Sequence, residues 1–201
     1  MTSLTSRIIR EEHAALAAML RSILLLIKQH RPEAAQPDFG ALRAMLFYVD
    51  EFPERRHHPK ESALLFPKLR ARTPLSRELL DRLDEDHTRG EYKIRELQHL
   101  LLAWEMLGEP RRAAFEQAAQ QYVDFYLNHM GLEEREIMPL AERVLTARDW
   151  ADLDEAFATN RDPFAGHDPE PDYRALFSRI VNLVPAPIGL GPARPGTEPQ
   201  P

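Results

Sequence analysis

His57 is followed four residues later by Glu61, and His129 four residues later by Glu133. On a helix, residues i and i+4 share one face about one turn apart. Each pair can therefore present an imidazole and a carboxylate to one metal ion, or to two adjacent ones. A single His-x-x-x-Glu reads as a surface imidazole–carboxylate pair. Here the surroundings repeat as well. Pro67 stands ten residues after His57 in HHPKESALLFP, and Pro139 ten residues after His129 in HMGLEEREIMP. His13 lies 44 residues before His57, and His87 lies 42 residues before His129, each behind acidic residues in REEHAAL and DEDHTRG. The chain carries one unit twice: a lone histidine, a helical span, His-x-x-x-Glu, five residues and a proline.

A helix hairpin gives that unit its meaning. Early residues of one helix meet late residues of the next when the two run antiparallel. Each hairpin then offers two histidines and one glutamate at the same depth, and pairing the hairpins gathers His13, His57, Glu61, His87, His129 and Glu133 into one core layer. Buried charges of this kind cost several kcal/mol each unless paired or metal-bound. Four nitrogens and two carboxylates are too many for one tetrahedral zinc and suit two metals bridged by carboxylates. Imidazole with carboxylate is compatible with iron, manganese or zinc.

Neighbouring residues compete for these roles. His58 adjoins His57 and sits three residues before Glu61; the repeated spacing favours His57, with His58 as a supporting neighbour. Glu134 competes with Glu133 in the same way. His30, His99 and His167 have no partner in the repeat and read as loop or surface residues. Tyr48, Tyr92 and Tyr126 could reach the layer as hydrogen-bond donors or redox relays. Leu16, Leu20, Phe47, Leu65, Ile94 and Phe125 read as core, with a share in any pocket wall.

The elements that must position these groups are helical. Apolar residues recur at helical spacing from Leu4 to Gln29. Arg31–Asp38 reads as a loop, and a second helix runs from about Phe39 toward Leu69. Pro53 and Pro59 predict a break or kink in it between Phe52 and Pro59. A third helix spans roughly Arg77–Leu107 before the stop signal Gly108-Glu109-Pro110, and a fourth spans Arg111–Val144. Short helices are expected at Asp149–Thr159 and Tyr173–Leu183. The fold class is all-α: an up-down-up-down antiparallel four-helix bundle over residues 1–147, a short helical appendage over 148–184, and a Pro/Gly-rich tail over 185–201. Nine of the 17 prolines fall between Pro163 and Pro201, so that tail reads as extended or disordered.

Composition narrows the chemistry. The 201 residues include no cysteine, which removes disulfides, iron–sulfur clusters, thiolate zinc sites and cysteine nucleophiles. A formal net charge of −6 argues against a nucleic-acid partner. The apolar stretches Ile23–Ile27 and Leu100–Trp104 are far short of the ~20 residues a membrane span needs. No secretory h-region opens the sequence, so a cytoplasmic location is expected.

At these residues the sequence resembles the haemerythrin-like family, the HHE cation-binding domains, over about residues 5–145. FPERRHHPKESALLFP resembles bacterial members in particular. The resemblance implies two non-haem iron ions with an oxo or hydroxo bridge, held in a four-helix bundle. It implies that His13 and His57 bind one iron, His87 and His129 the other, and that Glu61 and Glu133 bridge them. Oxygen-carrying members have a fifth histidine on the third helix; here Leu83 and Glu91 stand four residues either side of His87. That departure leaves a coordination position open, or filled by Glu91, water or another side chain. It favours a centre that binds or senses oxygen, nitric oxide or a related small oxidant over reversible oxygen carriage. A peroxide- or nitric-oxide-processing oxidoreductase and a structural-metal interaction module are the alternatives. The expected partner is a diatomic ligand or peroxide, and a homodimer is compatible with the fifth helix and tail.

Overall fold

The computed structural model describes residues 3–29 and 37–184, and among these every regular element is helical. The first helix, α1 (Leu4–Gln29), starts where Ser3 Oγ accepts the Ser6 N–H at 3.0 Å, capping the helix entrance. It buries Ile8, Ile9, Leu16, Met19, Leu20, Ile23 and Ile27 along one stripe. Asp38 caps α2 (Phe39–Val49) through the Ala41 N–H.

From Phe39 to Arg72 the chain forms one unbroken helical rod. After α2 come a π-helical segment Asp50–His57, α3 (His58–Lys60), a second π-helical segment Glu61–Leu65, and α4 (Phe66–Arg72). Of the break or kink expected between Phe52 and Pro59, the helix shows no break; the irregularity there is the π-helical segment Asp50–His57. A proline has no N–H to donate and its ring crowds the carbonyl four residues back. The wider π turn accommodates both effects. His58, just before Pro59, donates its N–H to Pro53 O. Phe66, just before Pro67, donates to Glu61 O.

The second half follows the same plan. Helix α5 (Arg77–Leu107) ends at Gly108, whose φ of +83° is left-handed and suits glycine. A 3₁₀ turn leads into α6 (Arg112–Leu132), a π-helical segment Glu133–Ile137 and α7 (Met138–Val144). Met138, just before Pro139, donates to Glu133 O. So the proline of the repeated unit marks a π turn that opens on the glutamate of that unit.

Two apolar clusters flank a polar layer. Leu16, Met19, Phe52, Ile94, Trp104 and Phe115 belong to the larger cluster. Ile8, Ile9, Leu65, Phe66, Leu80, Leu83, Ile137 and Met138 belong to the smaller. Each of the four rods passes from one cluster to the other, and α1 and α5 do so in the opposite sense to the other two. Helix α1 packs on α2 and α6, and α5 packs on the same two.

The appendage begins at α8 (Ala147–Phe157), opened by a capping box between Thr146 and Asp149. Leu153 and Phe157 bury fully into the smaller cluster. Asp154 accepts from Thr5 N–H at 2.7 Å and Thr5 Oγ1 at 2.6 Å, tying α8 to the start of α1. Helix α9 (Arg174–Leu183) packs on α2. The tail expected at 185–201, most of the loop at 31–36 and His30 lie outside the described residues. No helix among the described residues is long and apolar enough to cross a membrane.

Candidate metal centre

The layer between the two clusters is built from all four rods. Helix α1 brings Glu12 and His13; the second rod brings Glu54, His57, His58 and Glu61. Helix α5 brings Asp86 and His87, and the fourth rod brings His129 and Glu133. All ten are buried, none more than 7% exposed. The two glutamates of the repeat open π-helical segments, which often mark functional sites inside helices.

The Nε2 atoms converge. His57 Nε2 lies 3.1 Å from Glu61 Oε1, and His13 Nε2 lies 3.3 Å from Glu133 Oε2. His87 Nε2 lies 3.4 Å from Glu61 Oε2 and 3.9 Å from Glu133 Oε1. His129 Nε2 lies 3.4 Å from Glu133 Oε1 and 3.0 Å from His87 Nε2. Donor atoms of His13, His57 and Glu61 fall within 4.8 Å of one another, as do those of His58, Glu61, His87 and His129. Glu61 is common to both groups.

The outer nitrogens of four of the five histidines are held from behind. His57 Nδ1–H donates to Glu12 Oε2 at 2.6 Å, and His58 Nδ1 sits 3.1 Å from Glu54 Oε2. His13 Nδ1 sits 3.1 Å from Glu134 Oε1, and Ser62 Oγ lies 2.8 Å from His87 Nδ1. The fifth, His129 Nδ1, faces Asp86 Oδ2 at 3.7 Å and has no hydrogen-bond partner among the described residues. A pseudo-two-fold relation runs through these contacts. The acid preceding each lone histidine, Glu12 or Asp86, faces the second histidine of its own hairpin. The residue following each glutamate, Ser62 or Glu134, faces the lone histidine of the other hairpin. Metal-ligating imidazoles are oriented in this way, one nitrogen inward and the other fixed by an acceptor.

Some positions break the symmetry. His58 has Met130 as its counterpart, Glu54 has Tyr126, and Gly90 has Leu16. Tyr126 stacks on His58 with ring centres 5.2 Å apart. Tyr122 and Tyr126 both donate to Glu54 Oε1, at 2.7 and 2.6 Å. A Cβ at Gly90 would stand 1.7 Å from Tyr126 Oη, so this helix position must be glycine for the tyrosine to fit. Leu16, Phe52, Pro53, Arg56 and Asn160 wall a cavity beside His13, His57 and His58. About 10 Å³ of it is open to the centre of a water-sized molecule, room for roughly one.

Charge balance decides what the layer fits. Glu12, Glu54, Glu61, Asp86 and Glu133 are buried, and no lysine or arginine is buried among the described residues. Both carboxylate oxygens of Glu133, Glu61 Oε2, His13 Nε2 and His57 Nε2 lack any hydrogen-bond partner there. Such a cost is met by cations. Burial works against charge on His13, yet Glu133 and Glu134 raise its pKa to about 9. Burial likewise opposes charge on His57, while Glu61 and Glu12 lift its pKa well above the usual histidine range. Burial together with His87, His57 and His129 keeps His58 neutral. Burial pushes Glu54 up to about 7 despite the two tyrosine hydroxyls. A metal ion takes the place of such protons.

The haemerythrin HHE cation-binding domain model matches residues 4–141. The chain belongs to that family. No curated protein matched. The haemerythrin domain accounts for all four rods up to Ala141, and the appendage from α8 onward lies beyond it.

All six residues drawn from the repeat meet in this haemerythrin layer. His58 does not replace His57 but joins the cluster beside it, on the side of His87 and His129. Glu134 reaches His13 from outside. Glu91 is a correction: it is exposed, pairs with Arg95 at 3.2 Å and leaves the layer. The inward stripe of α5 runs through Leu83, His87, Gly90, Ile94 and Leu97, which leaves Glu91 on its shoulder. Phe47 and Tyr92 are also exposed, at 47% and 68%, rather than in the core or near the layer. Tyr48 is buried but donates to Asp162, at 2.6 Å. His99 and His167 are on the surface, as expected. Glu12, Asp86, Ser62, Glu54, Tyr122 and Asn160 were not singled out from sequence. The acids before His13 and His87 were a visible signal for the first two.

Proposed function

We propose that this haemerythrin-family chain holds two iron ions in the polar layer of an up-down-up-down four-helix bundle and binds a small diatomic ligand or peroxide there. His13 and His57 would hold one ion and His58, His87 and His129 the other, with Glu61 and Glu133 shared between them. The observation that carries this reading is the convergence of imidazole and carboxylate donors from all four rods, with each outer imidazole nitrogen facing a polar side chain. On this assignment histidine supplies three donors at one position and two at the other, and the small cavity is lined by His13 and His57 of the two-histidine position and by His58 of the other. When bound, the iron pair supplies Lewis acidity and electron transfer toward oxygen, nitric oxide or peroxide. The protein's own part is to fix the imidazoles, exclude bulk water and admit a ligand of a few atoms. Leu16, Phe52 and Pro53 give that cavity an apolar wall.

The test is optical. Iron-loaded protein is titrated with azide and, under anaerobic conditions, with nitric oxide. Saturable spectral changes that Glu61→Gln removes support the reading. An iron-loaded protein indifferent to both ligands contradicts it.

A further inference from the structure

We propose that Asn160, which lies outside the haemerythrin domain, is a positioning residue for the metal position at His13 and His57. It acts through Glu12 and His57, and the inference rests on the functional reading above. Asn160 is 2% exposed. Its Nδ2 donates to Glu12 Oε2 at 2.8 Å, the same oxygen that accepts from His57 Nδ1–H. Its Oδ1 accepts from Lys60 Nζ, and Lys60 also donates to Ala156 O at 2.9 Å. The amide is therefore held at both ends, and its donor is aimed at one carboxylate oxygen.

The backbone supports that aim. Arg161, the next residue, has φ of +48°, the left-handed region that residues other than glycine rarely adopt. This turn lets the residues on both sides, Asn160 and Asp162, bury their side chains against the layer. Strain of this kind is kept where the surroundings fix it, commonly at functional sites.

Among the described residues, the pseudo-symmetric position has no such support. Asp86 lies near Arg82 at 4.0 Å and Arg89 at 3.9 Å, both from its own helix and both largely exposed. It stands 3.7 Å from His129 Nδ1, against 2.6 Å for Glu12 and His57. The appendage therefore stiffens one half of the centre only. Without the Asn160 donor, Glu12 keeps a single buried partner and can rotate away from His57. An acceptor on a ligating histidine of this kind is worth about 10- to 100-fold in metal affinity.

The experiment uses the full-length iron-loaded chain and follows iron release to a chelator. Asn160→Ala is expected to release half of the iron about ten-fold faster, leaving the other half at the native rate. Asn160→Asp keeps the volume but sets a second carboxylate against Glu12, and is expected to release that half at least as fast. Leu153→Ala, a core change in α8, is the structural control and should keep a single native phase. In the metal-free chain, the His57 Nδ1–H resonance in proton NMR should move in both Asn160 variants and stay in the control. Native release in both Asn160 variants, or the same split in Leu153→Ala, overturns the proposal. If the native chain binds no pair of metals, the functional reading fails, and an unmoved His57 resonance then overturns this one separately.

Discussion

Glu12 Oε2 accepts the His57 Nδ1 proton at 2.6 Å from a residue 45 positions away in the chain. The contact fixes which nitrogen of His57 faces the layer. It also makes α1 responsible for orienting a proposed ligand carried by the second rod, so neither helix presents the site alone. Asp86 faces His129 from the corresponding place in the second hairpin, but at 3.7 Å, beyond hydrogen-bond distance.

The second and fourth rods should be the first to respond to metal removal. Their π turns hold the glutamates between prolines and donor-rich segments, and without cations the layer carries uncompensated charge. In hydrogen exchange, residues 55–63 and 127–135 are expected to lose protection in metal-free protein while both apolar clusters stay protected. Equal protection of these segments with and without metal contradicts this.

His58→Met places at this position the residue found at its counterpart, Met130. It removes a donor from the proposed three-histidine position while keeping an apolar packing partner for Tyr126. After dialysis against a chelator, the variant should retain about one iron per chain with unchanged helical content. Retention of both irons would take His58 out of the ligand set.

Gly90→Ala tests the space held for Tyr126. Alanine favours a helix by about 1 kcal/mol over glycine. Here its Cβ would lie 1.7 Å from Tyr126 Oη and 2.9 Å from Glu54 Oε1. Net destabilisation of about 1–3 kcal/mol is expected in denaturant unfolding, eased in part by Tyr126→Phe. An equally stable single variant contradicts the packing described.

Asp162 supplies a pH dependence. Burial raises its carboxyl from 3.8 to about 6, against hydrogen bonds from Tyr48 and the Phe164 backbone that favour the charge. The folded chain holds this proton more tightly than the unfolded chain, so the group's favourable contribution is full below about pH 4 and is lost as pH rises through about 6. Asp162→Asn has no such loss. The stability difference between variant and native should shift toward the variant by up to about 3 kcal/mol between pH 4 and pH 7. A constant difference across that range contradicts the assignment.

Spacing alone made much of this centre readable. His-x-x-x-Glu is local, and the repeat of the whole unit separated His13, His57, His87 and His129 from the other histidines. His58 was harder. Adjacent residues on an α-helix diverge by about 100°, which frames His57 and His58 as alternatives. The π-helical segment ending at His57 changes that angle, and both imidazoles turn inward. The same widening replaces the break that Pro53 and Pro59 suggest. Glu91 failed for a related reason: i+4 from His87 is near the inward stripe, but the stripe steps from Gly90 to Ile94. Asn160 and Glu12 are 148 residues apart, and no local pattern joins them.

The central claim is that two metal ions share Glu61 and Glu133. The most direct measurement is the iron content of freshly purified, iron-replete protein, taken with its absorption spectrum. The account predicts two irons per chain and charge-transfer bands in the near ultraviolet that vanish in Glu133→Gln. One iron per chain, or a full complement of zinc with no redox response, would contradict it.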